Sequence, residues 1–191
     1  MGVLMKRLLS LTVAALLMSA LSGMTSASAA TARASFDWHA GDNFGGFLES
    51  PDVAMAANGD SIAIMAGGSL DVAARTATGT GSFVHVSSTG TTVATGTLTA
   101  TRLYSFQFYG CGTAGGQPIP PDFCGGRALI AVHIAATTAT GAHVEADGTL
   151  TVDCLLGSPP AGAGEGVTLN VKDILNFNKE VSGETLFVET S

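Results

Sequence analysis

The chain has 191 residues, 46% of them hydrophobic and 12% charged, with eight basic side chains against fifteen acidic ones and a net charge of −7. An acidic balance of this size repels phosphate backbones and anionic lipid headgroups, which argues against a nucleic-acid partner and against electrostatic attachment to a membrane. The length suits one ordinary domain with enough chain to bury a core.

The first residues carry Lys6 and Arg7, then an apolar run from Leu8 to Leu21, then the small-residue tail Ala27-Ser28-Ala29. A basic start, a short apolar centre and an A-x-A site together make a secretory signal peptide. The apolar run is about 14 residues, short of the roughly 20 that a membrane-spanning helix needs. Residues 1–29 are therefore expected to be cleaved, and residues 30–191 to form a single secreted domain without membrane attachment. Loss of Lys6 and Arg7 leaves six basic residues against fifteen acids, a charge of −9.

After the leader, strand patterns follow one another and no stretch sustains a helical repeat. SFDWHA comes first, followed by the Gly-rich link DNFGGFLESPD. VAMAA and SIAIMAGGSLDV are joined across Asn58-Gly59-Asp60, and Asn-Gly is a strong hairpin signal because both turn positions tolerate positive φ. TGSFVHV and the long TTVATGTLTATRLYSFQFY are joined through Ser88-Thr89-Gly90. The internal Gly96 of that long run marks a bend where a sheet can curl round. RALIAVHIAAT then leads through a Thr-rich turn into AHVEA, and Asp147-Gly148 is expected to turn AHVEA into TLTVDCLL. GSPPAGAGEG breaks the pattern because Pro159 and Pro160 lack the donors a strand needs. VTLNVKD, a less regular ILNFNKEVSG and ETLFVE complete the chain. About nine or ten short strands with tight turns predict an all-β antiparallel domain, barrel-like or a sandwich.

An exported chain with three cysteines has room for one disulfide. In LTVDCL the period-2 pattern puts Cys154 on the aliphatic face with Leu150 and Val152, as an inert core thiol. Cys111 and Cys124 are left to pair, clasping a loop whose Gly115, Gly116, Pro118, Pro120 and Pro121 leave it little backbone hydrogen bonding of its own. Such a loop is either a structural clasp or the rim of a site.

His39, His85, His133 and His143 show no H-x-H, H-E-x-x-H or Cys/His spacing, so no metal or other cofactor is expected. No G-x-S-x-G elbow and no Walker-type loop occurs, and no catalytic residue is assigned. Asp37, Asp42, Glu49 and Asp52, with Asn43, offer carboxylates for glycoside chemistry or for Ca²⁺, but without the spacing of either they read as a solvated acidic loop. In YSFQFY, strict alternation places Tyr104, Phe106 and Phe108 on one face. That face is a core stripe or, in a barrel, the wall of an apolar cavity, with His85 and His133 completing the lining if their strands present them inward.

The strings TATRLYSFQFYG, PPDFCGGRALIAVHI, TVDCLLGSPPAGAGEGVTLNV and NFNKEVSGETLF resemble an uncharacterised type of exported bacterial β-rich protein, from about Trp38 onward. The resemblance implies export and a β-rich fold, and brings no activity, ligand or catalytic residue. Two functions are left open. The first is a non-catalytic β-domain that binds a protein or small ligand at the cell exterior. The second is a small barrel enzyme or carrier for an apolar small molecule, using Tyr104, Phe106, Phe108, His85 and His133.

Overall fold

The computed structural model describes residues 34–190; the leader at 1–29 lies outside them. Alternation of apolar and polar residues sets the first strand, β1 (Ser35–Ala40), where Phe36, Trp38 and Ala40 are buried and Ser35, Asp37 and His39 face outward. β2 (Asp52–Met55) and β3 (Ser61–Asp71) form the hairpin expected at Asn58-Gly59, with the Ala56 amide on the Asp60 carbonyl and the Asn58 side chain accepting from the Asp60 amide. β4 (Thr76–Val86) and β5 (Thr92–Cys111) form the second hairpin. The Cys loop holds a two-residue pair, β6 (Thr113–Ala114) with β7 (Gln117–Pro118). β8 (Phe123–Thr138) and β9 (His143–Cys154) follow, then β10 (Gly166–Val171), β11 (Leu175–Phe177), β12 (Lys179–Ser182) and β13 (Thr185–Glu189). Among the described residues the one helical element is a three-residue 3-10 turn, Phe44–Gly46, and no helix is long and apolar enough to cross a membrane.

Antiparallel pairings run β1–β3, β3–β4, β4–β5, β5–β8, β8–β13 and β13–β1, which closes a circuit of six strands. The fold is thus all-β and barrel-like. β8 carries β5 along one edge and divides its other edge between β13 and β9. From β9 the sheet continues to β10 and β11, while β2, on β3, carries β12. Phe36, Trp38, Ile62, Ile64, Leu98, Ile130, Leu150 and Phe187 fill one continuous core. The Trp38 indole, buried there, donates its Nε1–H to the Thr78 carbonyl at 3.1 Å.

Three local expectations differ from the structure. Asp147-Gly148 is not a turn: β9 runs through it, with Gly148 paired to Val132 of β8 and Val171 of β10. A Cβ at Gly148 would lie 2.7 Å from the Asn170 carbonyl and 3.0 Å from the Ile134 methyl, so the glycine serves close packing inside a three-strand ladder. The Cys loop also has more backbone bonding than its composition predicts, since Gly112 donates to the Phe123 carbonyl, Ile119 to Gly112, and Gly157 to Thr113. Finally, ILNFNKEVSG is regular enough to form β11 and β12.

Candidate functional site

β5 is much longer than its neighbours on β4 and must bend to follow the barrel. It does so at register shifts between Ala100 and Arg102, Leu103 and Ser105, and Phe108 and Gly110. Each bulge leaves one residue unpaired and resets which face the next side chain takes. Tyr104 therefore leaves the face that alternation gives it and stands 49% exposed, with the Arg102 guanidinium 5.7 Å from its ring centre. Phe106 and Phe108 stay inward, in an aromatic cluster where Phe106 lies 4.8 Å from Phe36 and 5.1 Å from Phe187 between ring centres. His133 faces outward, its Nε2 2.6 Å from Glu145 Oε2 and its Nδ1 3.3 Å from Asp147 Oδ1, and these two carboxylates raise its pKa.

His85 alone of the five reaches a cavity. It pairs with Ile62 of β3, on the inward face, where its ring meets Phe177 edge-on at 5.2 Å. Its Nε2 lies 3.1 Å from Asp60 Oδ2, and that contact is the main cause holding the Asp60 carboxyl below its ordinary pKa. The cavity beside it, of about 190 Å³, is bounded by Ile62, Phe83, Ile134, Leu169 and Phe177, so almost all of its wall is hydrocarbon.

A second cavity, about 280 Å³, lies at the opposite end of β8 and β9. The Cys loop supplies part of its wall through Ala114 and Ile119, with Phe123 next to Cys124; Phe47, Leu156 and Leu186 add further apolar surface, and Glu165, Glu184 and Thr185 add polar groups. The Cys111–Cys124 disulfide closes the base of that loop, and Cys154, the free buried cysteine, lies on the cavity wall. The loop is therefore clasped by the disulfide and also borders this cavity. Burial foremost, then the Glu165 charge, pushes the Cys154 thiol up to about 12, so it is held un-ionised.

Acids surround this end. Glu165 leaves the Pro-rich connection and turns its carboxylate back into the protein, accepting from the Leu155 amide at 2.7 Å and the Thr185 amide at 2.9 Å. Burial raises its pKa, and those bonds work against the rise. The Thr185 hydroxyl lies 2.9 Å from Glu165 Oε1 and 2.8 Å from the Asp153 carbonyl, and its single hydrogen serves one of them at a time.

Asp52 does not belong to a solvated loop. In β2 it pairs with Ile64 and shares the inward face with Ala54; it is fully buried, and neither carboxylate oxygen has a hydrogen-bond partner. Burial, then the charge of Glu165, push it up to about 8; Asp42 and Glu49 add to the shift and the Glu184 backbone opposes it. Glu49 and Glu184 are exposed, and each carboxylate accepts a backbone amide, from Gly183 at 3.3 Å and from Glu49 at 3.1 Å. Of the other two acids, Asp42 in the link has its Oδ2 2.6 Å from His39 Nδ1, and Asp37, on the outward face of β1, accepts from the Ser69 hydroxyl at 2.7 Å. His143 Nδ1 lies 3.3 Å from the Thr137 hydroxyl, outside both cavities.

On the outer face of β9, Asp153 is fully buried and its Oδ2 accepts both Nε and Nη2 of Arg127 from the adjoining β8, Nε at 2.7 Å. The Tyr109 hydroxyl is buried near this pair without a partner; burial foremost, then the Asp153 charge, raise its pKa.

Among the described residues, the one grouping of three or more metal-ligating side chains within bonding reach is Cys111, Cys124 and Glu189, and its two sulfurs are joined to each other. Compared with family models, with curated proteins and with solved structures, the chain matches none.

Proposed function

We propose that the protein is an exported, non-catalytic β-domain that acts at the cell exterior by holding one small apolar molecule in the cavity beside His85. The observation that carries this reading is the wall: about 190 Å³ of half-open space lined by aliphatic and aromatic side chains. An apolar cavity of about 150 Å³ in another protein stays dry and takes up benzene, so this volume suits a single ring or a short chain. Export rests on the leader pattern, and the disulfide is in keeping with an oxidising compartment.

An enzyme or carrier acting on the same molecule is the second reading, favoured by the His85–Asp60 contact at the cavity edge, since a carboxylate-oriented imidazole is the arrangement a general base uses. Titration of the mature protein with toluene, followed through the methyl resonances of Ile62, Ile134 and Leu169, should give saturable shifts. Ala146→Phe, which fills the cavity, should abolish them in a protein that stays folded. Absence of saturable shifts up to the solubility of the probe would remove the reading. His85→Gln separates the two versions, because binding survives in a holder and turnover of any substrate does not.

A further inference from the structure

The cavity bounded by the Cys loop differs from the one beside His85 in a decisive respect: it joins apolar walls to carboxylates that lack a counter-charge. Among the described residues the ion pairs are His39 with Asp42, His85 with Asp60, Arg127 with Asp153, and His133 with Glu145 and Asp147. None of them reaches Glu49, Glu165 or Glu184. A half-enclosed space with low-dielectric walls concentrates the field of such charges, and the species it draws in is a cation.

Asp52 lies close to the same carboxylates. A fully buried carboxyl with both oxygens unpartnered is a costly arrangement, and unsatisfied groups of this kind in folded proteins call for an explanation. Its Oδ1 lies against Gly183, next in sequence to the cavity residues Glu184 and Thr185, and Glu165 is the charge acting on it most strongly. A cation in the cavity would face Glu165 and Glu184, the two carboxylates on its wall.

The walls then choose the kind of cation. A bare divalent ion requires several oxygen ligands converging on one point, and no three carboxylates meet in that way among the described residues. Leu156, Leu186 and Ile119 offer hydrocarbon contact, while Phe47 and Phe123 bring aromatic rings to the wall, and an ammonium that reaches a ring face gains cation–π attraction. Phe47 is 74% exposed at the rim, within reach of an occupant. We infer that this cavity is a second binding site, for a small organic ammonium whose charged end meets Glu165 and Glu184 and whose apolar body lies against Phe47, Phe123 and Leu186.

The test compares phenethylammonium with 2-phenylethanol, which has the same body and no charge, on the mature disulfide-bonded protein at neutral pH. Phenethylammonium should bind saturably and at least about tenfold more tightly than the alcohol, and the difference should shrink as salt rises from about 0.05 to about 0.5 M. Glu184→Gln keeps the acceptor for the Glu49 amide and removes the charge. It and Phe47→Ala should each weaken phenethylammonium several-fold while leaving toluene in the His85 cavity unaffected. Glu165→Gln should weaken it further; should that variant fail to fold, the other two carry the test. Equal affinity for alcohol and ammonium, or no response to Glu184→Gln and Phe47→Ala, overturns the inference. Saturable binding of calcium at this cavity with none of phenethylammonium overturns it too, in favour of a metal site.

Discussion

Asp52 occupies the space that a side chain on Gly183 would need. A Cβ built on Gly183 would overlap Asp52 Oδ1 and fall 2.5 Å from Asp52 Cα, and Gly183 has φ of 117°, a region that side-chain-bearing residues avoid. The turn between β12 and β13 is thus moulded round one buried acid. Gly183→Ala should destabilise the fold by about 3 kcal/mol or more, combining backbone strain with a clash. Adding Asp52→Ala should not rescue it, because the overlap with the backbone of residue 52 persists. Urea unfolding of the single and double variants checks this, and full recovery in the double variant would show that the carboxylate alone sets the constraint.

The proton on Asp52 ties stability to pH. Its pKa of about 8 in the fold lies above the ordinary 3.8, so between those values the folded chain keeps a proton that the unfolded chain releases. The stability this contributes is complete below about pH 3.8, is lost progressively as pH rises to about 8, and changes no further above that. Asp52→Asn has no proton to lose. Its stability relative to wild type should climb across that window, by on the order of a few kcal/mol in total. Unfolding at a series of pH values measures the difference, and a gap that stays constant would show that Asp52 is not held protonated.

Arg127 and Asp153 should behave as a pair. Arg127→Met leaves the buried Asp153 carboxylate on the outer face of β9 without its partner, which costs about 3–5 kcal/mol, whereas Arg127→Met with Asp153→Leu should come back to within about 1 kcal/mol of wild type. A double variant as unstable as the single one would assign the loss to packing of the Arg127 stem instead.

The Cys111–Cys124 link should contribute about 2–4 kcal/mol, read as the loss in the Cys111→Ser, Cys124→Ser variant. Cys154 should stay inert in the folded chain, since its thiol is buried and its pKa lies near 12. A thiol reagent applied to native protein should therefore label nothing and should label one cysteine after unfolding. Labelling of the native protein would mean that the Cys loop opens.

Period-2 patterning and turn residues were enough to give the all-β class, the hairpin at Asn58-Gly59 and, by placing Cys154 in the core, the pairing of Cys111 with Cys124. It misplaced Tyr104 because bulges are set by how sharply β5 must bend round the barrel, a global property that no local window contains. Asp147-Gly148 misled because a glycine that permits a turn also permits close packing, and the ladder from β8 to β10 decides between them. His85 and His133 separated onto opposite faces through register, which alternation alone leaves free. The acids of the candidate site were legible in part. Asp52 alternates with Ala54 and Ala56 as an inward residue would, but its charge and its place after a Gly-rich link favoured solvent. Glu165 had no local signal, since its fate depends on the amides of Leu155 and Thr185 meeting it from two other segments.

The six-strand circuit is completed by β13, which slides between β8 and β1, the earliest strand of the fold. In a chain made from its N-terminal end, the outer edge of β1 stays bare while almost all the rest of the domain is added, and the pairing that covers it joins some of the most distant segments of the sequence. Assembly is therefore late and slow compared with the local hairpins, because the cost of closing so long a loop falls before its reward. A chain interrupted before Thr185 would expose Phe36–Ala40 as an unpaired strand, a template for other copies. Truncation after Gly183 should convert a monodisperse protein into an aggregating one, and light scattering that stayed flat would show that the edge is protected by other means.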